Sequence, residues 1–153
     1  DIPFIFDPGQ AMPLFNGDEL KQMIEQATYV TVNDYESLLM SDKTGLSTAE
    51  ISSRVQGYII TRGDKGSEIH TASGMLQIPA ANAIRVVDPT GCGDAYRAGL
   101  IFGLMKGMDM ATAGRIASLM GALKIEHLGP QNQRFSYAQF AMQFKQQFGY
   151  ALD

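Results

Sequence analysis

Three short apolar runs mark the first part of the chain, at 2–6, 29–32 and 58–61. Each has the length of a strand, and turn-forming or polar residues follow it, beginning with Asp7-Pro8-Gly9 after the first run. Continuous apolar residues are typical of strands that are covered on both faces, as in a parallel sheet. The pattern therefore predicts three parallel strands.

Helical patterns separate these runs. Residues 19–27 carry apolar side chains at the spacing of a half-buried helix, with Asp18 as its expected N-terminal cap. The sequence Ser47 to Glu50 has the capping-box pattern and predicts a second short helix that carries Ile51 and Val55. Strands that alternate with helices indicate right-handed crossovers and a sheet flanked by helices, so the predicted fold class is α/β.

A different pattern follows the third strand. Residues 63–66 indicate a tight turn into strands at 67–71 and 74–78, which predicts a small antiparallel edge on the sheet. The C-terminal half is helical by the spacing of its apolar residues, at 94–105, 111–126 and 136–148. The aromatic stripe from Phe140 to Phe148 predicts a core or docking face on the last helix.

Composition narrows the class of protein. With 45% hydrophobic and 18% charged residues among 153, the chain has enough apolar side chains for one compact domain. A net charge of −4 argues against nucleic acid as a partner. Cys92 is the single cysteine, and we find neither a signal peptide nor an apolar run of about 18 residues, so we expect a cytoplasmic protein that binds no membrane. Because the chain starts at Asp1, at the edge of an apolar run, we expect it to be a piece of a longer protein.

The most informative stretch is a glycine-rich turn. Gly91 and Gly93 flank Cys92 immediately before a predicted helix, where backbone amides and the positive end of the helix dipole would converge on an anion such as phosphate. Asp94, in the first turn, is placed to accept a proton from an attacking hydroxyl. Local sequence supports about equally an anion site with a general base and a tight loop with a capping aspartate.

A family signature follows from two segments read together: Asp-Pro-Thr-Gly-Cys-Gly-Asp at 88–94 and Ala-Gly-Leu-Ile at 98–101. These segments resemble the C-terminal signature of the ribokinase-like (PfkB) carbohydrate and nucleoside kinases. Their sequence is most similar to that of bacterial adenosine and nucleoside kinases. Cys92 departs from the small Ala, Gly or Ser that is usual there. The resemblance implies a ribokinase-like α/β fold, ATP as phosphoryl donor and a nucleoside or sugar as acceptor.

The resemblance also implies roles within this stretch. Asp94 would be the general base, and the amides of Gly91, Cys92 and Gly93 would form the anion hole over the γ-phosphate. Positions 88 and 90, which are Asp88 and Thr90, would help to bind a monovalent cation such as K⁺. Arg97, one turn further on, is expected to be an exposed arginine without a role in the site.

Upstream, Asn33 and Glu36 resemble the family's Asn-x-x-Glu motif, which implies that Glu36 helps to organise Mg²⁺ through water. Taken alone, Asn33 is more simply a helix cap and Glu36 a solvated residue. The position of the pair directly after the second strand favours the functional interpretation.

Two further segments resemble parts of the family that lie near the ATP phosphates. Thr61, Gly63 and Gly66 correspond to a glycine motif near the ATP phosphates and ribose, although local sequence favours a plain hairpin turn. Asp7 lies at the end of the first predicted strand, where ligands of open α/β sheets bind, and it resembles a family position near the phosphates.

The resemblance places the adenine slot on the long helix and the loop after it, with Gly121 and Asn132 as candidates. It implies that the chain, residues 1–153, is the nucleotide-binding C-terminal part of the fold, and that the acceptor-binding glycine pair and the lid, through which a homodimer would form, lie outside it. A nucleotide-binding regulatory module or an inactive fragment is the alternative. A dinucleotide-binding Rossmann enzyme is disfavoured, because its glycine motif should follow the first strand.

Overall fold

The structure, a computed structural model, describes residues 2–152, so Asp1, at which we expected a cut, lies outside the described residues together with Asp153. The described chain divides into two compact units. The first contains the residues up to 63 together with 67–77, and the second contains 64–66 and the residues from 78 onward.

The first unit holds the sheet and three helices. In chain order its elements are β1 (Ile5–Phe6), a 3₁₀ helix (Gly9–Leu14), α1 (Gly17–Gln26), β2 (Tyr29–Asn33), α2 (Asp34–Thr44), α3 (Thr48–Ser52), β3 (Gly57–Thr61), β4 (Ser67–Thr71) and β5 (Gly74–Ile78). The last residue of β5 is counted with the second unit. The five strands lie in their chain order, β1 to β5, with β1, β2 and β3 parallel and β4 antiparallel to β3. The predicted parallel sheet with an antiparallel edge is confirmed.

The core of the first unit lies between the sheet and its helices. Val30 and Ile60 of the two central parallel strands are buried together with Leu20 and Ile24 of α1 and Met40 of α2. Because both faces of these strands are covered, their sequences are continuously apolar, which is the pattern that predicted them.

The second unit holds a short 3₁₀ helix (Gly63–Lys65), most of which belongs to it, and the helices α4 (Cys92–Met105), α5 (Met110–Ile125) and α6 (Tyr137–Phe148). Gly99 and Gly103 let α4 approach α5 closely, since an added Cβ at either would lie 2.7 Å from the Cα of Ala117 or Ala113 respectively. On the other side of α5, Phe140 and Phe144 of α6 are buried, as the aromatic stripe predicted.

The predicted starts of β1 and α1 were wrong for identifiable reasons. The first strand is limited to Ile5–Phe6, because Pro3 has no amide to donate to the sheet and residues 2–4 are exposed. The helix α1 begins after Asn16 rather than at Asp18, since the Asn16 side chain accepts from the Glu19 amide and the Glu19 carboxylate accepts from the Asn16 amide.

The extent of helix α2 was not predicted, and only Asn33, as a candidate cap, indicated its start. The second predicted helix is shorter than expected. In α2 three consecutive residues, Leu38 to Met40, range from exposed to buried, so no clear helical stripe appears in the sequence. Helix α3 starts with the predicted Ser47 capping box but ends at Ser52, and Val55 is buried outside it. Within residues 2–152, no helix has both the length and the hydropathy that a membrane span requires.

Candidate active site

The glycine-rich turn opens α4 in the second unit. Gly91 is the N-cap residue, with φ of +79°, and an added Cβ there would lie 2.8 Å from the Cβ of Pro130. A side chain at this position would therefore meet both an unfavourable backbone conformation and a neighbouring loop. The Cys92 amide donates to the Pro89 carbonyl at 3.1 Å. The following amides of the first helical turn have no acceptor within the helix and lie at the positive end of its dipole, which favours an anion.

Asp94 lies in this first turn with its carboxylate in contact with solvent, its side chain being 76% exposed. The guanidinium of Arg97 donates from Nη2 to Asp94 Oδ1 at 2.9 Å. Arg97 Nη1 also lies 3.0 Å from where a Cβ of Gly93 would be, so the positive charge covers the start of the helix. Arg97 was expected to be exposed, and it is instead partly buried and bonded to Asp94, for which its three-residue spacing from Asp94 was the available signal.

The Asp88 carboxylate joins the segment before the turn to the loop after α5 through hydrogen bonds. Its Oδ1 accepts from the Thr90 amide and its Oδ2 from the Gly129 amide, both at 2.8 Å. These bonds, first that from Thr90 and then that from Gly129, lower the pKa of Asp88 to about 2, and the charge of Lys124 adds to the effect. The carboxylate is thus ionised at neutral pH and links the turn to the loop after α5.

The loop after α5 is closed by its own contacts. Asn132 donates from its side-chain amide to the Leu128 carbonyl at 2.7 Å, and its Nδ2 lies against Gly129, whose φ is +79°. Gly121 of α5 faces the Cys92 carbonyl, which is 3.7 Å from the position of an added Cβ. Gly121 and Asn132, the predicted adenine-slot residues, therefore belong to the same unit as the glycine-rich turn.

In the first unit, the predicted residues follow the carboxyl ends of the parallel strands. Asp7 follows β1, and Asn33 and Thr61 end β2 and β3 in register with one another. Thr61 donates from its hydroxyl to the Val32 carbonyl at 3.4 Å. Strand ends of this kind are where open α/β sheets bind ligands.

Asn33 and Glu36 form a capping box at the start of α2. Asn33 Oδ1 accepts from the Glu36 amide and Glu36 Oε2 accepts from the Asn33 amide, both at 2.8 Å. Asn16 and Glu19 make the same reciprocal pair at the start of α1. The Asn-x-x-Glu pattern thus has a structural role twice in this chain, and only the second pair follows a strand of the sheet. Burial raises the pKa of Tyr58, and the nearby charge of Glu36 raises it further.

The glycines of the predicted phosphate motif are conformationally required. Gly63 has φ of +57° and Gly66 has φ of +83°. An added Cβ on Gly66 would lie 2.0 Å from the Ile78 carbonyl oxygen. These glycines fit the plain turn that local sequence favoured, and their proposed contact with ATP stays a prediction.

The first unit thus has an α/β sheet with polar residues at its strand ends, and the second has a helix opened by a glycine turn with an exposed carboxylate. The model of the pfkB family of carbohydrate kinases matches residues 3–135. The chain belongs to this family, and it corresponds to the C-terminal part of the kinase fold.

Several relatives are similar over most of the chain. The nucleoside kinase of Burkholderia thailandensis, solved in complex with inosine, is 58% identical with a TM-score of 0.98 and covers 99% of this chain and 50% of its own. The nucleoside kinase of Methanocaldococcus jannaschii is 35% identical over 82% of this chain and 42% of its own length. The ribokinase of Bacillus subtilis is 30% identical over 86% of this chain and 42% of its own length. The chain thus spans about half the length of the relatives that it matches.

Proposed function

We propose that the protein to which this chain belongs is an ATP-dependent kinase that transfers a γ-phosphoryl group to a hydroxyl of a nucleoside, and that this chain supplies its nucleotide-binding and catalytic part. The observation that carries the proposal is the pairing of an exposed carboxylate, Asp94, with the Arg97 guanidinium at a glycine-opened helix N-terminus. The relatives support a nucleoside over a sugar, since the Burkholderia thailandensis enzyme has also been solved in complex with ADP-inosine.

Asp94 is proposed as the general base. Arg97 holds Asp94 Oδ1 at 2.9 Å, which orients the carboxylate, and we assign Oδ2 to the acceptor hydroxyl. A base that is positioned in this way removes the hydroxyl proton as the oxygen attacks phosphorus. The adjoining positive charge of Arg97 would also attract the phosphates.

The phosphate is assigned to the amides of Gly91, Cys92 and Gly93. The amide of Cys92 already donates to the Pro89 carbonyl at 3.1 Å, so it would exchange this partner for a phosphate oxygen. Amides whose orientation a turn fixes can stabilise the charge that develops on the transferring group, which is the main electrostatic contribution such sites make.

Glu36 is the residue that we assign to the Mg²⁺ of MgATP. Its Oε2 accepts one amide, that of Asn33, at 2.8 Å, and a carboxylate has about four acceptor positions, so the side chain fits a hydrogen bond to a metal-bound water. Mg²⁺ prefers oxygen ligands and keeps several waters, which agrees with a carboxylate that acts through water. The ion would neutralise phosphate charge when bound.

Asp94→Asn in the whole protein tests this proposal. We expect turnover to fall by about 10² to 10⁴-fold while the affinity for MgATP, measured by calorimetry, is kept. Asp42→Asn is the matched control, since Asp42 is exposed on α2 in the other unit. Consumption of ATP is measured across a panel of nucleosides and sugars.

The result distinguishes the alternatives. Retained turnover in Asp94→Asn would contradict the assignment of the base. Binding of MgATP by the unmodified protein without consumption in the presence of any acceptor would favour the nucleotide-binding module. Faster consumption with sugars than with nucleosides would overturn the acceptor class.

A further inference from the structure

Lys124 is a charged side chain with no solvent contact, on the last turn of α5. The residue is 0% exposed. Its ammonium donates to the Asp88 carbonyl at 2.6 Å and to the His127 carbonyl at 3.1 Å. An isolated buried ammonium is strongly unfavourable, so it persists only where carbonyl dipoles or an opposite charge compensate it.

The Asp88 carbonyl belongs to the segment just before the glycine-rich turn, and the His127 carbonyl belongs to the start of the loop after α5. The backbone amide of Asp88 donates to the Ile125 carbonyl at 3.1 Å, and its carboxylate accepts the amides of Thr90 and Gly129. Lys124 therefore completes a set of hydrogen bonds that fixes Asp88 to the end of α5. Asp88 precedes Asp94 by six residues in the sequence. Because Gly91 lies against Pro130 of the same loop, a shift of that loop would move the turn.

The charges at this position are already balanced. Asp88 supplies one negative charge and Lys124 one positive charge. Both Asp88 carboxylate oxygens accept hydrogen bonds from backbone amides, and the Asp88 carbonyl accepts one from the Lys124 ammonium. A second cation at Asp88 and Thr90 would lie close to this buried ammonium, and like charges repel each other. The predicted K⁺ site therefore does not fit the residues that are present.

We propose that the Lys124 ammonium is a built-in cation, which positions the glycine-rich turn through the Asp88 and His127 carbonyls and takes the place predicted for a monovalent cation. This inference extends the proposed kinase function, in which the turn binds phosphate. It assigns Lys124 as a positioning residue, since the ammonium contacts backbone carbonyls and not the reacting atoms.

The first test uses the unmodified whole protein in KCl, NaCl and tetramethylammonium chloride at matched ionic strength. Screening is then equal in the three salts, and we expect MgATP affinity and turnover to differ between them by less than about twofold. The unfolding temperature is measured in the same salts, and it requires no turnover, so a failure of the kinase proposal does not affect this measurement. The inference would be overturned if KCl alone raised affinity or turnover by more than about twofold, or alone raised the unfolding temperature.

The second test removes the ammonium. In Lys124→Ala the two carbonyls lose their donor, and we expect MgATP affinity or turnover to fall by up to about 100-fold through misplacement of the turn, with a recovery that KCl gives and NaCl does not. Lys145→Ala is the matched control, because Lys145 is exposed on α6. A folded Lys124→Ala protein that keeps full affinity and turnover, or that loses them without any response to K⁺, contradicts the inference. If this variant does not fold, the salt comparison on the unmodified protein decides.

Discussion

The Arg97 guanidinium and the Asp94 carboxylate are joined by a hydrogen bond of 2.9 Å between Nη2 and Oδ1, one helical turn apart on α4. Exposed pairs of this spacing contribute at most about 0.5 kcal/mol to stability. The pair therefore adds little to the stability of the fold, and we propose that it orients the carboxylate.

Replacement of Arg97 by Met should lower activity while the fold is retained. We expect kcat to fall by roughly 10-fold to 100-fold, since Asp94 loses its orientation, and the free energy of unfolding to change by less than about 0.5 kcal/mol. Arg97→Lys should recover part of kcat, because the charge is kept. Steady-state kinetics and urea unfolding measure the two effects, with Arg54→Met at an exposed site as control. Equal kcat in Arg97→Met and the unmodified protein would rule out this positioning role.

Most of the sheet could be predicted because its signals are local. The residues of β4 and β5 were predicted at their observed bounds, 67–71 and 74–78, since glycine turns delimit them. The buried strands β2 and β3 were recognisable by continuous apolar residues. Only β1 is shorter than its apolar run predicted, because Pro3 has no amide to donate to the sheet.

The candidate site could be proposed from the sequence only where one contiguous segment carries it. The turn at Gly91 and Asp94 is such a segment, and the signature there predicts its chemistry. The support from Lys124 depends on a contact 36 positions away along the chain, and a lysine near a helix C-terminus is ordinarily exposed. Nothing in the local sequence distinguishes this lysine from a solvated one.

Substitution of Gly91 should lower the free energy of unfolding more than substitution of a glycine that has positive φ but no neighbouring atoms. Gly91→Ala places a Cβ at positive φ, which costs about 1–2 kcal/mol, and within 2.9 Å of Pro130 atoms, which adds about 1–3 kcal/mol. Gly107, with φ of +70° and nothing within 4 Å of an added Cβ, isolates the first term. Urea unfolding of both variants should show the larger loss for Gly91→Ala, and equal losses would mean that the Pro130 loop yields freely.

Glu36 and Glu19 offer a matched comparison, since each closes an Asn-x-x-Glu capping box. Glutamine also serves in a capping box, so Glu36→Gln and Glu19→Gln should both change the free energy of unfolding by less than about 0.5 kcal/mol. If Glu36 holds a water of Mg²⁺, its substitution should lower turnover about 10-fold to 100-fold, and higher Mg²⁺ should offset part of the loss. Kinetics at several Mg²⁺ concentrations measure this. Similar turnover in the two variants would restrict Glu36 to its capping role.

The carboxylate of Asp88 should make stability depend on pH in an acid range that its folded pKa defines. That pKa is lowered to about 2, below the ordinary value of about 3.9. The sign follows from linkage: a group with a depressed pKa stabilises the folded state fully above its unfolded pKa, and this contribution is lost as pH falls through the folded value. The range is therefore from about pH 4 to about pH 2.

Asp88→Asn tests this dependence. At neutral pH the variant should unfold at a lower temperature than the unmodified protein, because an asparagine side chain cannot accept both the Thr90 and the Gly129 amides. The difference should shrink as pH falls below about 4, since the native carboxylate is then increasingly protonated. Thermal unfolding followed by circular dichroism across this range measures it, with Asp42→Asn as the control at an exposed carboxylate. A difference that stays constant down to about pH 2 would mean that the charge of Asp88 has no part in holding the turn to the loop after α5.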